Sequence, residues 1–314
     1  TPGTAYVLFH HVMGETNGKR GVWGYVQGGM GGITQSLAAA ARELKVEIRC
    51  EAEVARILVK DGTVHGVALA NGEECHAPVV ASNADAHVTF TRLLDSKQLP
   101  PEFSAAVSRI NYESASLKIN VALDELPNFL ACPGLEPGPH HRGTIHISPD
   151  LDYIERAFDD AKYGQPSQRP ILECTIPSVV DPTVAPPGKH LMSIFVQYAP
   201  YKLRGATWDD LRESVADRCF ALLNEYAPNF QRSVLARQVL TPLDLERTFN
   251  LTGGNIFQGA MTLNQLFACR PVPGFADYHT PIRGLYLCGA AAHPGGGVMG
   301  AAGANAAREI LRSA

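Results

Sequence analysis

The stretch from Gly284 to Leu311 reads G-L-Y-L-C-G-A-A-A-H-P-G-G-G-V-M-G-A-A-G-A-N-A-A-R-E-I-L. It predicts a buried strand over 285–288, a glycine-rich loop, and a helix running to the C-terminus. Gly295, Gly297 and Gly300 satisfy G-x-G-x-x-G, the spacing of a dinucleotide fingerprint. Such a fingerprint opens a βαβ unit of about 30 residues, with an acidic residue about 20 positions further on. The sequence stops at Ala314, so this segment is expected to be the last strand and last helix of a nucleotide-binding domain. Glycines let a backbone approach a ligand closely and adopt positive φ. The first turn of a helix leaves amides unpaired and carries partial positive charge. That end of a helix suits an anionic reduced flavin as it suits a phosphate. A glycine-rich connection in a close-packed α/β core is the alternative reading.

The 314 residues are enough for two domains or one large one. With 45% hydrophobic and 18% charged residues the composition is that of a globular chain with a sizeable core. A net charge of −4 without long runs of one sign argues against nucleic acid as a partner. No apolar run approaches the roughly 18 residues of a membrane span. The seven cysteines form no C-x-x-C, so reduced, mostly buried thiols in an intracellular compartment are expected.

Upstream, Gly28-Gly29-Met30-Gly31-Gly32 leads into a helix with apolar positions Ile33, Leu37, Ala40, Ala41 and Leu44, capped by Thr34 or a neighbour. Val46–Arg49 is expected to be a short strand. Glu53–Lys60, Val64–Ala70 and Glu73–His76 form a meander turned by Asp61-Gly62 and Asn71-Gly72. Pro78–Ser82 returns as a buried strand. Residues 91–110 carry two short helical stretches. Ala115–Leu123, Ile171–Ile176 and Leu191–Tyr198 are strands, and Tyr153–Tyr163 and Leu211–Glu225 are helices. Residues 241–283 read as loop-rich, a character that goes with ligand wrapping. His140, His141 and His146 lack a carboxylate or cysteine at matching spacing, so no metal is expected.

The segments G-G-M-G-G-I-T-Q-S-L, E-V-A-R-I-L-V-K-D-G-T-V-H-G-V-A-L-A-N-G, V-V-A-S-N-A-D and the terminal glycine stretch resemble the phytoene-desaturase-like FAD oxidoreductases. K-I-N-V-A-L-D-E-L-P-N-F, P-S-V-V-D-P-T-V-A-P-P-G, T-P-L-D-L-E-R and G-G-N-I-F extend the resemblance over nearly the whole sequence. It implies an α/β, glutathione-reductase-2-type FAD-binding fold lacking its first βαβ unit, with an inserted α+β substrate domain. The implied boundaries are 1–27 for the end of a preceding substrate-domain segment, 28–90 and 241–314 for the FAD-binding domain, and 91–240 for the substrate domain. By the same resemblance Glu53 and Val54 are cofactor-binding, Val54 meeting the adenine through its backbone, and Gly289 and Ala290 lie by the ribityl-pyrophosphate. Pro294, Gly295 and Gly296 follow in the loop, and Gly297, Val298 and Met299 lie by the isoalloxazine. An acidic residue follows this strand's glycine in the amine-oxidase branch; Ala290 matches the desaturase-like branch instead.

The expected activity is FAD-dependent removal of hydride from an unactivated or weakly activated carbon of an apolar small molecule. No catalytic residue is identified, with Lys118, His10, His11 and His293 as candidates. A non-catalytic binding or scaffolding module that keeps the fold without productive FAD binding is the second expectation. The family's opening βαβ unit, with its acidic ribose ligand, has no counterpart in these residues. The sequence is therefore expected to be a C-terminal portion of a longer protein, binding FAD weakly or not at all by itself. Homo-oligomers and peripheral membrane contact are compatible with it. The resemblance implies the cytoplasm for a bacterial chain and the mitochondrion for a eukaryotic one.

Overall fold

A computed structural model describes residues 15–22 and 24–313, and His10 and His11 lie outside them. In chain order the principal elements are β1 (Glu15–Thr16), β2 (Lys19–Arg20), α1 (Gly31–Glu43), β3 (Val54–Lys60), β4 (Thr63–Leu69), β5 (Glu74–His76) and β6 (Val80–Ser82). There follow α2 (Pro101–Ser108), β7 (Ser116–Leu123), β8 (Ile145–Ile147), α3 (Leu151–Lys162), β9 (Ile171–Thr175) and β10 (His190–Gln197). The chain closes with α4 (Trp208–Tyr226), β11 (Val234–Leu240), α5 (Pro242–Phe249), β12 (Leu285–Leu287) and α6 (Ala301–Ser313).

These elements divide into two units. One comprises Arg49–Glu113 and Leu245–Ala314 with the described residues before Gly24; the other comprises Gly24–Ile48 and Ser114–Asp244. Helix α1 thus groups with the second unit, whereas the sequence reading placed it in the 28–90 segment.

The second unit is built on an antiparallel sheet of order β11-β7-β10-β9-β8. Strict alternation along β7 buries Leu117, Ile119, Val121 and Leu123 and leaves Ser116, Lys118, Asn120 and Ala122 half-buried, the period of two that a pleated strand imposes. Met192, Ile194 and Val196 of β10 and Leu172 and Cys174 of β9 extend the same core. Helix α4 packs on it through Val215, Ala216, Cys219, Phe220, Leu222 and Leu223. Its start is fixed by Thr207, whose hydroxyl accepts from the Asp210 amide. Asp150 caps α3 in the same way, accepting from the Tyr153 amide at 2.7 Å.

In the first unit, β3, β4 and β5 form the expected meander. Asp61 and Gly62 both take positive φ, as a two-residue hairpin turn requires. A separate parallel pair, β6 with β12, aligns Leu285 with Val80 and Leu287 with Ser82. Around it Ile57, Val64, Phe90, Phe103, Ile282, Leu285 and Leu287 form the core. Phe103 meets Phe90 and Phe275 edge to face, each at 4.8 Å.

Several expectations are corrected. Val46–Arg49 is not a strand, because no described strand lies beside it to supply a ladder. Strand β6 is half-exposed rather than buried, since it pairs with β12 alone. Thr34 does not cap α1: its hydroxyl donates to the Gly31 carbonyl inside the first turn. Residues 234–240 and 242–249 are a strand and a helix. The start of α5 is a reciprocal cap in which Thr241 Oγ1 accepts from the Asp244 amide and Asp244 Oδ2 accepts from the Thr241 amide. The seven thiols are free, but only Cys174 and Cys219 are buried, while Cys50 and Cys132 are exposed.

Candidate functional site

The glycine-rich segment leaves the C-terminal end of β12, where the Cys288 amide still donates to the Ser82 carbonyl at 2.9 Å. Gly289 follows at a point of close approach: a Cβ there would lie 2.4 Å from the Asn83 carbonyl oxygen. Two turns succeed it, closed by Ala292 N–H to the Gly289 carbonyl and Gly295 N–H to the Ala292 carbonyl. The amides of Gly289 and Ala290 have no acceptor among the described residues. Gly295 and Gly296 are buried, with Cβ positions that would meet Met261 Sδ at 2.8 Å and Phe257 Cδ1 at 2.3 Å. Gly297 to Gly300 are exposed, including Val298 and Met299. Helix α6 then begins at Ala301 without an acidic residue in its first turn. Asn305 on α6 donates to the Tyr278 hydroxyl, which donates to the His293 carbonyl, so helix and loop are tied together.

Beside the loop lies Arg270, 2% exposed and bonded to no carboxylate among the described residues. Its Nε and Nη2 donate to the Ala290 carbonyl at 3.0 and 2.8 Å, its Nη2 to the Phe257 carbonyl at 2.5 Å, and its Nη1 to the Gln265 carbonyl at 3.2 Å. Burial pushes the guanidinium down to about 10, which still leaves it charged at neutral pH. Gln258 completes the arrangement: its Oε1 accepts from the Ala291 amide at 3.0 Å and its Nε2 donates to the Asn83 carbonyl at 3.1 Å. These side chains border a small cleft with Ala86, Ile110, Gln265 and Ala291. Nearby, the buried Asp85 accepts from the Val88 and Thr252 amides, and the Tyr112 hydroxyl accepts from the His87 amide. Burial, with the Asp85 carboxylate adding to it, raises the Tyr112 phenol far above its ordinary value.

Two successive amides without acceptors, next to a buried cation, fit the anionic linker of a dinucleotide. The exposed glycines and uncharged helix start fit an anionic ring edge. Pro294 lies between these regions, half-buried. Glu53 and Val54 sit elsewhere, at the start of the meander. Glu53 is exposed with its carbonyl accepting from the Ala70 amide, Val54 is half-buried, and neither is hydrogen-bonded to the glycine loop.

The catalytic candidates also differ in setting. Lys118 is on the half-buried face of β7 and donates to Ser193 Oγ. Burial lowers its ammonium, partly offset by the Glu173 carboxylate. His293 has a buried Nδ1 without a hydrogen-bond partner among the described residues. His141 is fully buried: its Nδ1 accepts from the Gly138 amide, which leaves Nε2 to donate to the Pro127 carbonyl. Its ring lies 3.8 Å from that of His140, whereas His146 is exposed on β8. Among the described residues no three His, Cys, Asp or Glu converge as metal ligands. Sequence reading missed Arg270, Gln258 and Asp85. Arg270 lies in the loop-rich 241–283 stretch, beside Pro271 and Pro273, where an arginine gives no sign of burial.

A family profile described as flavin-containing amine oxidoreductase matches residues 2–311. This chain belongs to that family. Relatives of two kinds are similar to this chain. Pyridine nucleotide-disulfide oxidoreductase domain-containing protein 2 of Rattus norvegicus is 50% identical across 99% of this chain and 55% of its own length. A lycopene-forming phytoene desaturase of Pseudescherichia vulneris is 28% identical across 96% of this chain and 57% of its own. The chain thus spans about half the length of these relatives. Among solved structures, an oxidoreductase from Methanosarcina mazei superposes with a TM-score of 0.60 at 22% identity, covering 91% of this chain and 54% of that one. This likeness shows that the chain shares its fold with that oxidoreductase. No helix among the described residues is long and apolar enough to cross a membrane.

Proposed function

We propose that the full-length protein is an FAD-dependent oxidoreductase of the dehydrogenase or desaturase kind, withdrawing hydride from a carbon of an apolar small molecule. The observation that carries this reading is the pair of acceptor-free amides at Gly289 and Ala290, followed by the exposed Gly297–Gly300 entry to α6. Bound FAD supplies the two-electron chemistry, and the protein supplies position and electrostatics. Gly289, Ala290 and the turns through Pro294 to Gly296 hold the linker side, Gly297, Val298 and Met299 border the ring, and Glu53 and Val54 serve the adenosine end. An apolar substrate is supported by the name of the relative that forms lycopene. The second unit is read as the substrate-binding part of the chain, and Lys118 on the half-buried face of its β7 is a catalytic candidate, with burial lowering its ammonium.

A second reading has an observation of its own. Gly289, Gly295 and Gly296 are each accounted for by contact with protein atoms, Asn83, Met261 and Phe257. A non-catalytic module that kept this packing would keep the same glycines. Visible flavin absorbance of the purified full-length protein separates the two. A stoichiometric flavin spectrum, bleached anaerobically by an apolar polyene, is expected; a colourless protein that does not take up added FAD would favour the module.

A further inference from the structure

We infer that Arg270 and Gln258 are positioning residues for the anionic linker of FAD, holding the Ala290–Ala291 peptide so that the amides of Gly289 and Ala290 stay available to it. The inference rests on the flavin reading above. A peptide unit is planar, so gripping its oxygen and its N–H fixes its orientation. Here both ends of one unit are held. Arg270 takes the Ala290 oxygen with two N–H groups, and Gln258 Oε1 takes the Ala291 N–H from the other side. Gln258 is itself anchored through Nε2 to the Asn83 carbonyl, the group against which Gly289 packs. The same two side chains therefore set the peptide and the strand exit before it. Were the unit to rotate, the Ala290 carbonyl would turn toward an anion that the neighbouring amides attract.

The charge of Arg270 points the same way. A buried guanidinium satisfied by carbonyls alone leaves its positive charge without a paired carboxylate, a costly arrangement for packing alone. Nearby positive charge favours an anionic group. A lysine keeps the charge, but its three tetrahedrally disposed donors do not reproduce the planar fork that spans the Ala290, Phe257 and Gln265 carbonyls.

The test uses the full-length protein, deflavinated, as wild type, Gln258→Gly, Arg270→Lys and Arg270→Gln. Glycine at 258 suits the positive φ of that residue, which spares the backbone. FAD and riboflavin, which lacks the phosphates, are titrated separately by fluorescence, and the thermal midpoint of each apo form is recorded. Expected is a loss of FAD affinity of about tenfold for Gln258→Gly and about a hundredfold for Arg270→Gln, the scale of hydrogen bonds to a charged group. Arg270→Lys should fall between, and riboflavin affinity should stay constant throughout. Parallel losses for both ligands, or lowered midpoints with unchanged FAD affinity, would show a packing role and overturn the inference while the flavin reading stands. Wild type that takes up no FAD would remove both. If Arg270→Gln does not fold, the half-buried Gln258 decides, since unchanged FAD affinity in Gln258→Gly is enough to reject the clamp.

Discussion

The five-stranded sheet and the glycine-rich end of the chain solve opposite problems. In the sheet, β7, β10 and β9 each have a strand on both sides, and the core follows from alternation along each of them. At the glycine-rich end a two-stranded parallel pair of three residues each supports a loop of more than ten. There the shape is held by side chains bonded to backbone: Arg270, Gln258, Gln265 and, in the 255–259 turn, Asn255, whose Oδ1 accepts from the Phe257 and Gly259 amides. Regular structure protects one region from single changes in polar contacts; the other depends on a handful of them.

The largest expected effect breaks the second region without touching the first. Gly297 has a φ of 142°, a conformation that side-chain-bearing residues rarely adopt. Gly297→Val should abolish flavin retention in the full-length protein while far-UV circular dichroism barely changes. A yellow variant protein would show the loop to be structural only.

Next in size is the converse. Ile194 is fully buried in the sheet core, so Ile194→Ala should destabilise the protein by about 2–5 kcal/mol. Chemical denaturation should show a lower midpoint, with the flavin spectrum of the remaining folded fraction unaltered. A shifted spectrum would mean that the two regions are coupled more tightly than their construction suggests.

Smallest is a pH effect. His141 is held neutral, with one ring nitrogen donating and the other accepting, and burial lowers its basicity. Burial lowers His190 as well. The unfolded state therefore binds more protons, so the contribution to stability is complete above the unfolded value of about 6.5 and declines as pH falls below it. Thermal midpoints should drop from pH 7 to pH 5, and His141→Gln should flatten that slope. An identical slope in the variant would assign the effect to other groups.

The same contrast explains what could be read from the residues alone. The meander was legible because Asp61-Gly62 and Asn71-Gly72 are turn chemistry, and β7, β9 and β10 because alternation is strict. Strand β11 was not, because Arg237 and Gln238 interrupt its apolar pattern and its pairing is with a distant strand. Helix α5 carried a readable signal, Thr241-Pro242 followed by Asp244, hidden by its shortness. At the site, the glycines announced a close approach, but their partners did not announce themselves. Arg270 and Gln258 act through long-range contacts with carbonyls and amides, which any sequence offers everywhere.

The order β11-β7-β10 also bears on how the chain is made. Both neighbours of β7 come later in the sequence, and the last arrives with a contact such as Asn120 to Gln238, 118 residues apart. At about 5–20 residues per second of synthesis, β7 waits on the order of ten seconds on the ribosome before its second edge can be covered. During that interval a strand that ends up inside the sheet is itself an open, apolar edge. A nascent chain halted shortly before Val234 should accordingly be held by chaperones, and one released after Leu240 should let them go.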